Sequence, residues 1–281
     1  MAIPWISGMR QVDWYWRKAT QRYRALPDFI VIGAQKAGTS SLFYYLTQHP
    51  QLIPSKKKEI HFFDGGKDPR FDVYDEGLPF YRAHFPLSFQ LTNRQKVFEA
   101  TPIYLFHPMA PQRLHKFLPH VKLIVLLRNP TDRAISHYFH SRRKGHETLP
   151  IGDAMQAEDG RLKRPFDQAN VLDPSFRFHS YKARGLYEQQ LKRYLRYFPM
   201  QQLLILNSED LFTEPHKVLH KVFEFVGVNA TFAINDLRPR NAHKKPEPVP
   251  LAVRVYLNSF FQPYHRPLYE LVEQDFGWGR R

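Results

Sequence analysis

The hydrophobic pattern of the chain consists of short apolar runs separated by longer amphipathic stretches. Apolar runs of this kind are typical of strands that are covered on both faces, as in a parallel sheet. The run over residues 121–127 is apolar at nearly every position and therefore predicts a central strand. Further strands are predicted over residues 29–32, 97–100 and 203–206.

Apolar residues at helical spacing occupy most of the segments between these runs. Thr213, before a glutamate and a proline, predicts an N-cap, and Pro263 and Pro267 predict breaks in the last helix. Strands that alternate with helices predict an α/β fold with a central parallel sheet flanked by helices, in a single domain over residues 27–281. The helices are predicted over residues 42–46, 79–84, 111–118, 134–140, 187–198, 218–226 and 251–278.

Three stretches fall outside this alternation. Residues 1–26 form a basic, aromatic lead-in, which we expect to pack on the domain or to lie on an interface. Residues 65–96 and 145–180 are polar and irregular, apart from the short helix at 79–84. Because long loops in compact domains are usually functional, these two stretches predict the walls of a substrate site.

The strand over residues 29–32 leads into a glycine-bounded loop and then into a helix that opens with Thr-Ser-Ser. Gly33 and Gly38 bracket a tight turn, since glycine enters positive φ without steric cost. Lys36 lies inside the loop. Unpaired backbone N–H groups, the positive end of the helix and the lysine then converge, which predicts a phosphate-binding loop. The alternative is a generic glycine turn.

The loop differs from the nucleotide-binding pattern G-x-x-x-x-G-K-[ST] at one position. Thr39 stands where NTPases carry the lysine that reaches the β- and γ-phosphates beside Mg²⁺. A cation at Lys36 instead favours a shorter 5′ group and no required metal. A P-loop kinase, which would need both the lysine after Gly38 and a magnesium site, is a less favoured alternative function.

A second candidate for anion binding follows the strand over residues 121–127. Arg128 lies at the carboxyl end of that strand, and Ser136 lies about two turns into the next predicted helix. The two side chains can hold one phosphate by a forked ion pair and a hydroxyl donor. The alternative is a structural salt bridge at Arg128 and a buried helix hydroxyl at Ser136.

A third motif, Glu-Ile-His-Phe-Phe-Asp, begins at Glu59. If this segment is extended, Glu59, His61 and Phe63 share one face, and the first two can deprotonate an attacking hydroxyl or amine. Asp64 either orients a neighbouring base or caps the next turn. The alternative is a surface pair of Lys58 with Glu59 beside an aromatic core.

Composition and charge narrow the class of partner. The net charge of +15 and the pI of about 9.9 favour polyanionic partners, yet neither zinc-finger spacing nor an RNA-binding aromatic motif is present. We therefore expect no nucleic acid partner, while a non-catalytic polyanion-binding module remains the alternative function. The absence of cysteine excludes disulfides, thiolate metal sites and a cysteine nucleophile. With neither a secretory signal nor an apolar span, we expect a cytoplasmic, bacterial enzyme.

Taken together, these motifs resemble the sulfotransferases that use 3′-phosphoadenosine 5′-phosphosulfate (PAPS). Residues 33–41 look like the family's 5′-phosphosulfate loop and residues 127–136 like its 3′-phosphate motif. Within the family, residues 58–64 are similar to the glucosaminyl branch, the heparan sulfate 3-O- and N-sulfotransferases. Further segments that look like this branch and its bacterial relatives are residues 99–104, 184–187 and 275–278.

The resemblance implies in-line transfer of a sulfuryl group from PAPS to a hydroxyl or amine acceptor, carbohydrate among them, with no metal. It implies Glu59 as the general base, aided by His61, and Lys36 as the cation at the leaving phosphate. The implied acceptor contacts are Lys58, Asp64 and Thr101. The other implied donor contacts are Ala37, Gly38, Thr39, Ser40, Ser41, Arg128, Ser136, Lys244 and Lys245.

Two departures from the branch bear on the acceptor. Ala100 stands where the heparan enzymes commonly carry a lysine, and their cysteine-bridged late loop is missing. Sulfuryl transfer remains the expectation, whereas the acceptor stays open among a carbohydrate, a lipid, a peptide and a small metabolite. A sulfotransferase-like protein without activity is a further alternative, and the sequence carries no signal for an oligomeric state.

Overall fold

The computed structural model describes residues 8–68, 70–167, 171, 173–240 and 248–280. Numbered in chain order, its strands are β1 (Phe29–Gly33), β2 (Leu52–Pro54), β3 (Lys96–Ala100), β4 (Lys122–Leu127) and β5 (Leu203–Asn207). They form one five-stranded sheet in the order β2-β3-β1-β4-β5, and every pairing is parallel. The α/β fold with a central parallel sheet is therefore confirmed. The short edge strand β2, which ends on a proline, was not predicted.

Each of the seven predicted helices is present, but those predicted over residues 187–198 and 251–278 end earlier, and four further α-helices among the described residues were not predicted. In chain order they are α1 (Gly8–Ala19), α2 (Thr39–Thr47), α3 (Gly77–Arg82), α4 (Ala110–Phe117), α5 (Pro130–Arg143), α6 (Ile151–Asp167), α7 (Pro174–Phe178), α8 (Tyr187–Leu195), α9 (Ser208–Thr213), α10 (Pro215–Val226) and α11 (Leu251–Val272). None of the helices in the described part of the chain is long and apolar enough to cross a membrane.

The prediction of an irregular stretch over residues 145–180 is wrong, because α6 and α7 lie within it. The buried face of α6 includes Ile151, Met155, Glu158 and Leu162. Glu158 interrupts this apolar stripe because its carboxylate accepts backbone N–H groups of the segment that follows α7. Two glycines within α6 weaken its helical propensity further, so that the local pattern conceals the helix.

Two smaller predictions also differ from the structure. Pro263 and Pro267 lie inside α11 and do not divide it, because residues on both sides, Phe261 and Leu268 among them, are buried in the core. Thr213 is the last residue of α9 and is not an N-cap. Its hydroxyl donates to the carbonyl of Glu209 at 3.2 Å, and the N-cap position of α10 belongs to the next residue.

The sheet brings the ends of three strands together. β1 lies between β3 and β4, with Ile30 opposite Glu99 on one side and Leu123 on the other. Because all three strands run in the same direction, the segments that follow them meet at one edge. The backbone N–H of Ala34 donates to β4 at 2.7 Å, and that of Thr101 donates to β1 at 3.0 Å. The backbone N–H of Glu59 donates to the last carbonyl of β3 at 3.0 Å, so the predicted phosphate loop lies between the other two motifs.

Candidate active site

The loop between β1 and α2 is shaped by two glycines with different roles. Gly38 has a φ of 89°, as predicted. Gly33 does not adopt positive φ, contrary to expectation. It is instead required by close packing, because a Cβ at this position would lie 2.5 Å from the Cβ of Leu105. Lys36 itself adopts a φ of 73°, which turns the loop around the lysine.

The loop offers backbone donors at the start of α2. None of the described residues accepts a hydrogen bond from the backbone N–H of Lys36, Gly38 or Thr39. The loop is also held at Ala37, whose carbonyl accepts a hydrogen bond from the Ser208 hydroxyl at 2.8 Å. These unpaired donors and the positive helix end are suited to binding an anion.

Arg128 links the second motif to the first. Its Nη1 donates to the carbonyl of Lys36 at 3.1 Å, so that the guanidinium lies against the loop. The turn is held by Asn129, whose side chain caps α5 by accepting the N–H groups of Thr131 and Asp132. Ser136 is half-buried about two turns into α5, and no described residue forms a hydrogen bond with its hydroxyl.

The loop lysine lies among like charges. Burial and the positive charges of Arg143, Arg128 and Arg133 together lower the pKa of Lys36 to about 8. The negative charge of Glu59 opposes the shift. Such a cluster of cations is unfavourable on its own and becomes favourable when an anion with several charges binds among them. The cluster fits the two phosphate groups of the donor that the sequence implies.

Arg133 is a member of this cluster that the sequence did not single out as a site residue. Its side chain is fully buried, and its Nη2 donates to the carbonyl of Tyr181. Within the described part of the chain, its Nε and Nη1 have no hydrogen-bond partner. An arginine with unmatched buried donors next to a phosphate-binding loop is suited to an anionic ligand.

The segment that carries Glu59 is not extended, so the face that Glu59, His61 and Phe63 would share in an extended segment does not form. Glu59 and His61 adopt φ values of 60° and 61°, and Phe63 is fully buried in the core. The left-handed conformations nevertheless bring the two polar side chains together, with His61 Nε2 lying 3.6 Å from Glu59 Oε2. The surface pair with Lys58 is also present, since its Nζ lies 2.9 Å from Glu59 Oε1.

A second carboxylate fixes the orientation of the histidine. Asp64 Oδ2 lies 2.7 Å from His61 Nδ1, so the proton of Nδ1 points to Asp64 and Nε2 faces Glu59. The interaction with His61 holds the pKa of Glu59 well below its usual value, and the charge of Lys58 contributes. Burial raises the pKa of Asp64, but the charges of His61 and Arg177 outweigh it and leave that pKa lowered.

Two arginines, which the sequence gave no role, connect the carboxylates with the loop: Arg184 is buried and Arg177 is half-buried. Arg177 donates to Asp64 Oδ2 at 3.3 Å and to a neighbouring backbone carbonyl. Arg184 donates to the carbonyl of Arg177 at 2.9 Å and to Gln35 Oε1 at 2.5 Å. The loop and the Glu59 segment therefore share one hydrogen-bonded support. The only sequence signal was the resemblance of residues 184–187 to a family segment.

Several predicted contact residues are not exposed at this site. Thr101 is fully buried, and its hydroxyl donates to Glu99 Oε2 at 2.9 Å. Asp64 is 1% exposed and lies behind His61, so neither side chain is placed to touch an acceptor directly. Ser41 is likewise buried, and its hydroxyl accepts the backbone N–H of Arg240 at 2.9 Å. Lys244 and Lys245 lie outside the described residues, and Ala37, Thr39 and Ser40 lie in or directly after the loop.

Comparison with known proteins finds sulfotransferases among the similar proteins. The model of the sulfotransferase domain matches residues 26–245. Heparan sulfate glucosamine 3-O-sulfotransferase 6 of Mus musculus is 34% identical over 277 residues, which cover 91% of this chain and 74% of that protein. The membrane-associated sulfotransferase kil1 of Dictyostelium discoideum is 29% identical over 322 residues, which cover 90% of this chain and 66% of that protein.

A solved structure agrees with the sequence comparisons. The crystal structure of a sulfotransferase from Alicyclobacillus acidocaldarius superposes with a TM-score of 0.70 at 32% identity. The match covers 92% of this chain and the whole of that one. The similarity therefore extends over the sheet, the phosphate loop and the segments that carry the carboxylates.

Proposed function

The chain belongs to the sulfotransferase domain family, and from this premise we propose that it transfers a sulfuryl group from PAPS to a hydroxyl or amine of a saccharide. The observation that carries the proposal is the cation cluster around Lys36, with Glu59 close enough to influence its pKa. A donor site and a base, the two halves of a transfer reaction, would then lie next to each other.

The residues at the cluster fit a donor with phosphates at both ends of its ribose. The backbone N–H groups of Lys36, Gly38 and Thr39 would hold the 5′-phosphate at the start of α2. Arg128 and Ser136 would hold the 3′-phosphate, and the unmatched donors of the buried Arg133 support an anion at this end of the loop. No group of three or more metal-binding side chains occurs among the described residues, and the proposed transfer uses protein cations.

PAPS supplies an activated sulfuryl group, and the side chains place charges where the reaction needs them. The bond from sulfur to the donor phosphate breaks as a bond from sulfur to the acceptor oxygen or nitrogen forms. Lys36 neutralises the negative charge that develops on the leaving phosphate, and Glu59 receives the acceptor proton. A positioned cation can serve here because the transition state of such transfers is loose and rich in negative charge.

The properties of Glu59 define when it can act as a base. Its lowered pKa keeps the carboxylate ionised at neutral pH, and the same shift makes it a weak base. Proton transfer to it is therefore favourable only as the acceptor bonds to sulfur and becomes more acidic. His61, held by Asp64, keeps the carboxylate oriented, so these two residues act as positioning residues.

The surroundings of Glu59 favour an acceptor that carries negative charge. Lys58 pairs with Glu59, and Lys67 Nζ lies 4.0 Å from Glu59 Oε2. Burial lowers the pKa of Lys57, and the charge of Lys67 contributes to the shift. Lysines concentrated on one side of a base attract an anionic substrate, so we propose an acidic saccharide as the acceptor.

The donor half of the proposal is tested by thermal stabilisation with adenosine 3′,5′-bisphosphate, compared with ATP and Mg²⁺. At a hundredfold excess over its Kd, the bisphosphate is expected to add about 2.7 kcal/mol to the free energy of unfolding. The shift should persist without metal and disappear in Arg128→Ala. A shift with ATP and Mg²⁺ alone would contradict the proposal and favour a kinase.

The catalytic half is tested with Glu59→Gln. This variant should keep the bisphosphate shift but lose about 100- to 10,000-fold in the rate of sulfate transfer from labelled PAPS to acidic oligosaccharides. Glu214→Gln, which changes an exposed carboxylate on the far end of α9, is the matched control. Bisphosphate binding without turnover on any acceptor would support an inactive relative, and full activity of Glu59→Gln would exclude this residue as the base.

A further inference from the structure

α1 is attached to the rest of the protein through one aromatic ring and through polar side chains. The ring of Trp14 packs against Phe80 and His84, with centroid distances of 5.3 Å and 4.9 Å. Arg17 Nη1 donates to the backbone carbonyl of Ala83 at 3.0 Å, and Lys18 Nζ lies 2.8 Å from Glu76 Oε2. Burial of an apolar face usually holds a surface helix in place, and Trp14 supplies that burial on the inner side of α1.

Apart from Trp14, the apolar side chains that the structure describes in α1 face solvent. Val12, Tyr15, Trp16 and Ala19 are all exposed, with values of 70%, 59% and 50% for the first three. Their spacing places them on one face of the helix, and Tyr23, 49% exposed, follows beyond its end. We call these five residues the outer stripe. A contiguous exposed apolar surface of this kind marks an interaction site.

Cations surround the outer stripe. The exposed guanidinium of Arg22 lies 4.6 Å from the ring centroid of Tyr23. The guanidinium of Arg24 lies 4.7 Å from the ring of Trp16, but this side chain is buried and supports the ring from the protein side. Residues 12–24 contain four lysines and arginines and one acidic residue. The stripe therefore combines aromatic rings with positive charge at its borders, and the whole chain carries a net charge of +15.

We propose that the outer stripe docks on an anionic lipid surface, with α1 lying parallel to the membrane plane. Tyrosine and tryptophan are the side chains that favour the boundary between headgroups and acyl chains. A helix with an apolar face and basic borders binds there by burying that face, while its cations attract anionic headgroups. Val12 and Ala19 complete the face with aliphatic surface, which a nucleic acid, stacking its bases on aromatic rings, does not need.

Docking in this orientation has a consequence for the active site. Asp13 of α1 forms an ion pair with Lys56, at the start of the loop that leads to Glu59. The membrane-bound protein therefore holds this loop beside the lipid surface. The inference goes beyond the proposed function, and its test does not depend on sulfate transfer.

The test is sedimentation of the full chain with vesicles of phosphatidylcholine, with and without phosphatidylglycerol. We expect binding to the anionic vesicles that weakens as salt is added. The double variant Tyr15→Ser/Trp16→Ser should bind at least about tenfold more weakly, because it removes the two largest rings of the stripe. The matched control is Leu251→Ser/Val255→Ser, which removes two equally exposed apolar residues from one face of α11 and should bind as the wild type does.

Thermal unfolding distinguishes a docking defect from a folding defect, since all four substituted side chains are exposed and both variants should keep the wild-type Tm. Equal binding of the wild type and the Tyr15/Trp16 variant would overturn the proposal. It would also be overturned if the wild type did not bind anionic vesicles. Light scattering tests whether a second copy of the chain occupies the stripe, and binding of single-stranded DNA tests whether a nucleic acid does. Loss of self-association or of DNA binding in the Tyr15/Trp16 variant would identify that occupant in place of the lipid surface.

Discussion

Replacement of Lys36 by methionine should stabilise the protein while it abolishes sulfate transfer. Lys36 is half-buried among arginines, and its pKa falls from 10.5 to about 8. Its charged form is therefore less favourable in the folded protein than in the unfolded chain. Methionine has a similar length and no charge, so Lys36→Met removes this unfavourable term together with the cation that the donor requires.

The size of the effect follows from linkage between protonation and folding. Between pH 8 and pH 10.5 the unfolded chain holds a proton that the folded protein has lost, so the stability of the wild type rises with pH in this window. Relative to an uncharged side chain, the charged lysine costs at most about 3 kcal/mol at about pH 7 and about 1.4 kcal/mol at about pH 9.5. The advantage of Lys36→Met should shrink by about half over this range.

Urea unfolding of both proteins at the two pH values measures this difference directly. Lys221→Met, on the exposed side of α10, is the matched control and should change the free energy of unfolding by less than about 0.5 kcal/mol at either pH. A Lys36→Met variant that is less stable than the wild type at neutral pH would refute the reasoning. An advantage that does not depend on pH would refute it as well, because the gain would then come from packing.

Two further predictions concern the support behind the site. Arg184→Lys cannot reproduce the buried guanidinium fork that joins Gln35 to the rest of the support. In steady-state kinetics the KM for PAPS should therefore rise about tenfold or more, while the rate of transfer at saturation changes less. An unchanged KM would contradict this role. Asp64→Asn removes the charge that orients His61, so kcat should fall about 10- to 100-fold. Binding of the bisphosphate, measured by calorimetry, should stay at the wild-type level. If binding fell as much as kcat, Asp64 would support the fold and not Glu59.

The order of strands and helices could be predicted from the sequence because it depends on local periodicity. The segments that form β1, β4 and β5 contain continuous apolar runs, and Glu99 interrupts the run only in β3. Such runs between helices leave few alternatives to a buried parallel sheet. The phosphate loop was equally readable, since the spacing of Gly33, Lys36 and Gly38 is a local signal. The conformation of the loop was harder to predict. Gly33 is needed because Leu105 packs against it, which is a contact between distant parts of the chain.

The errors arose where a residue's partner is far away in sequence. Glu158 breaks the apolar stripe of α6 because it binds backbone groups of residues 182 and 183. Thr101 follows a strand end in the predicted site but is buried against Glu99, whose pKa burial raises to about 7. Neither arrangement can be predicted from the local pattern of apolar residues. Periodicity indicates which face of an element is apolar, but it does not indicate which group forms a hydrogen bond with a buried polar atom.

The class of fold and the positions of the three motifs along the chain follow from the sequence alone. The charge state of these motifs and the groups that support them depend on the tertiary structure. It placed Arg133 and Arg143 around Lys36 and so lowered the pKa of that lysine, and it joined Arg177 and Arg184 into the support behind the loop. The physical reason is that electrostatic interactions depend on distance in space and on burial, and folding sets both.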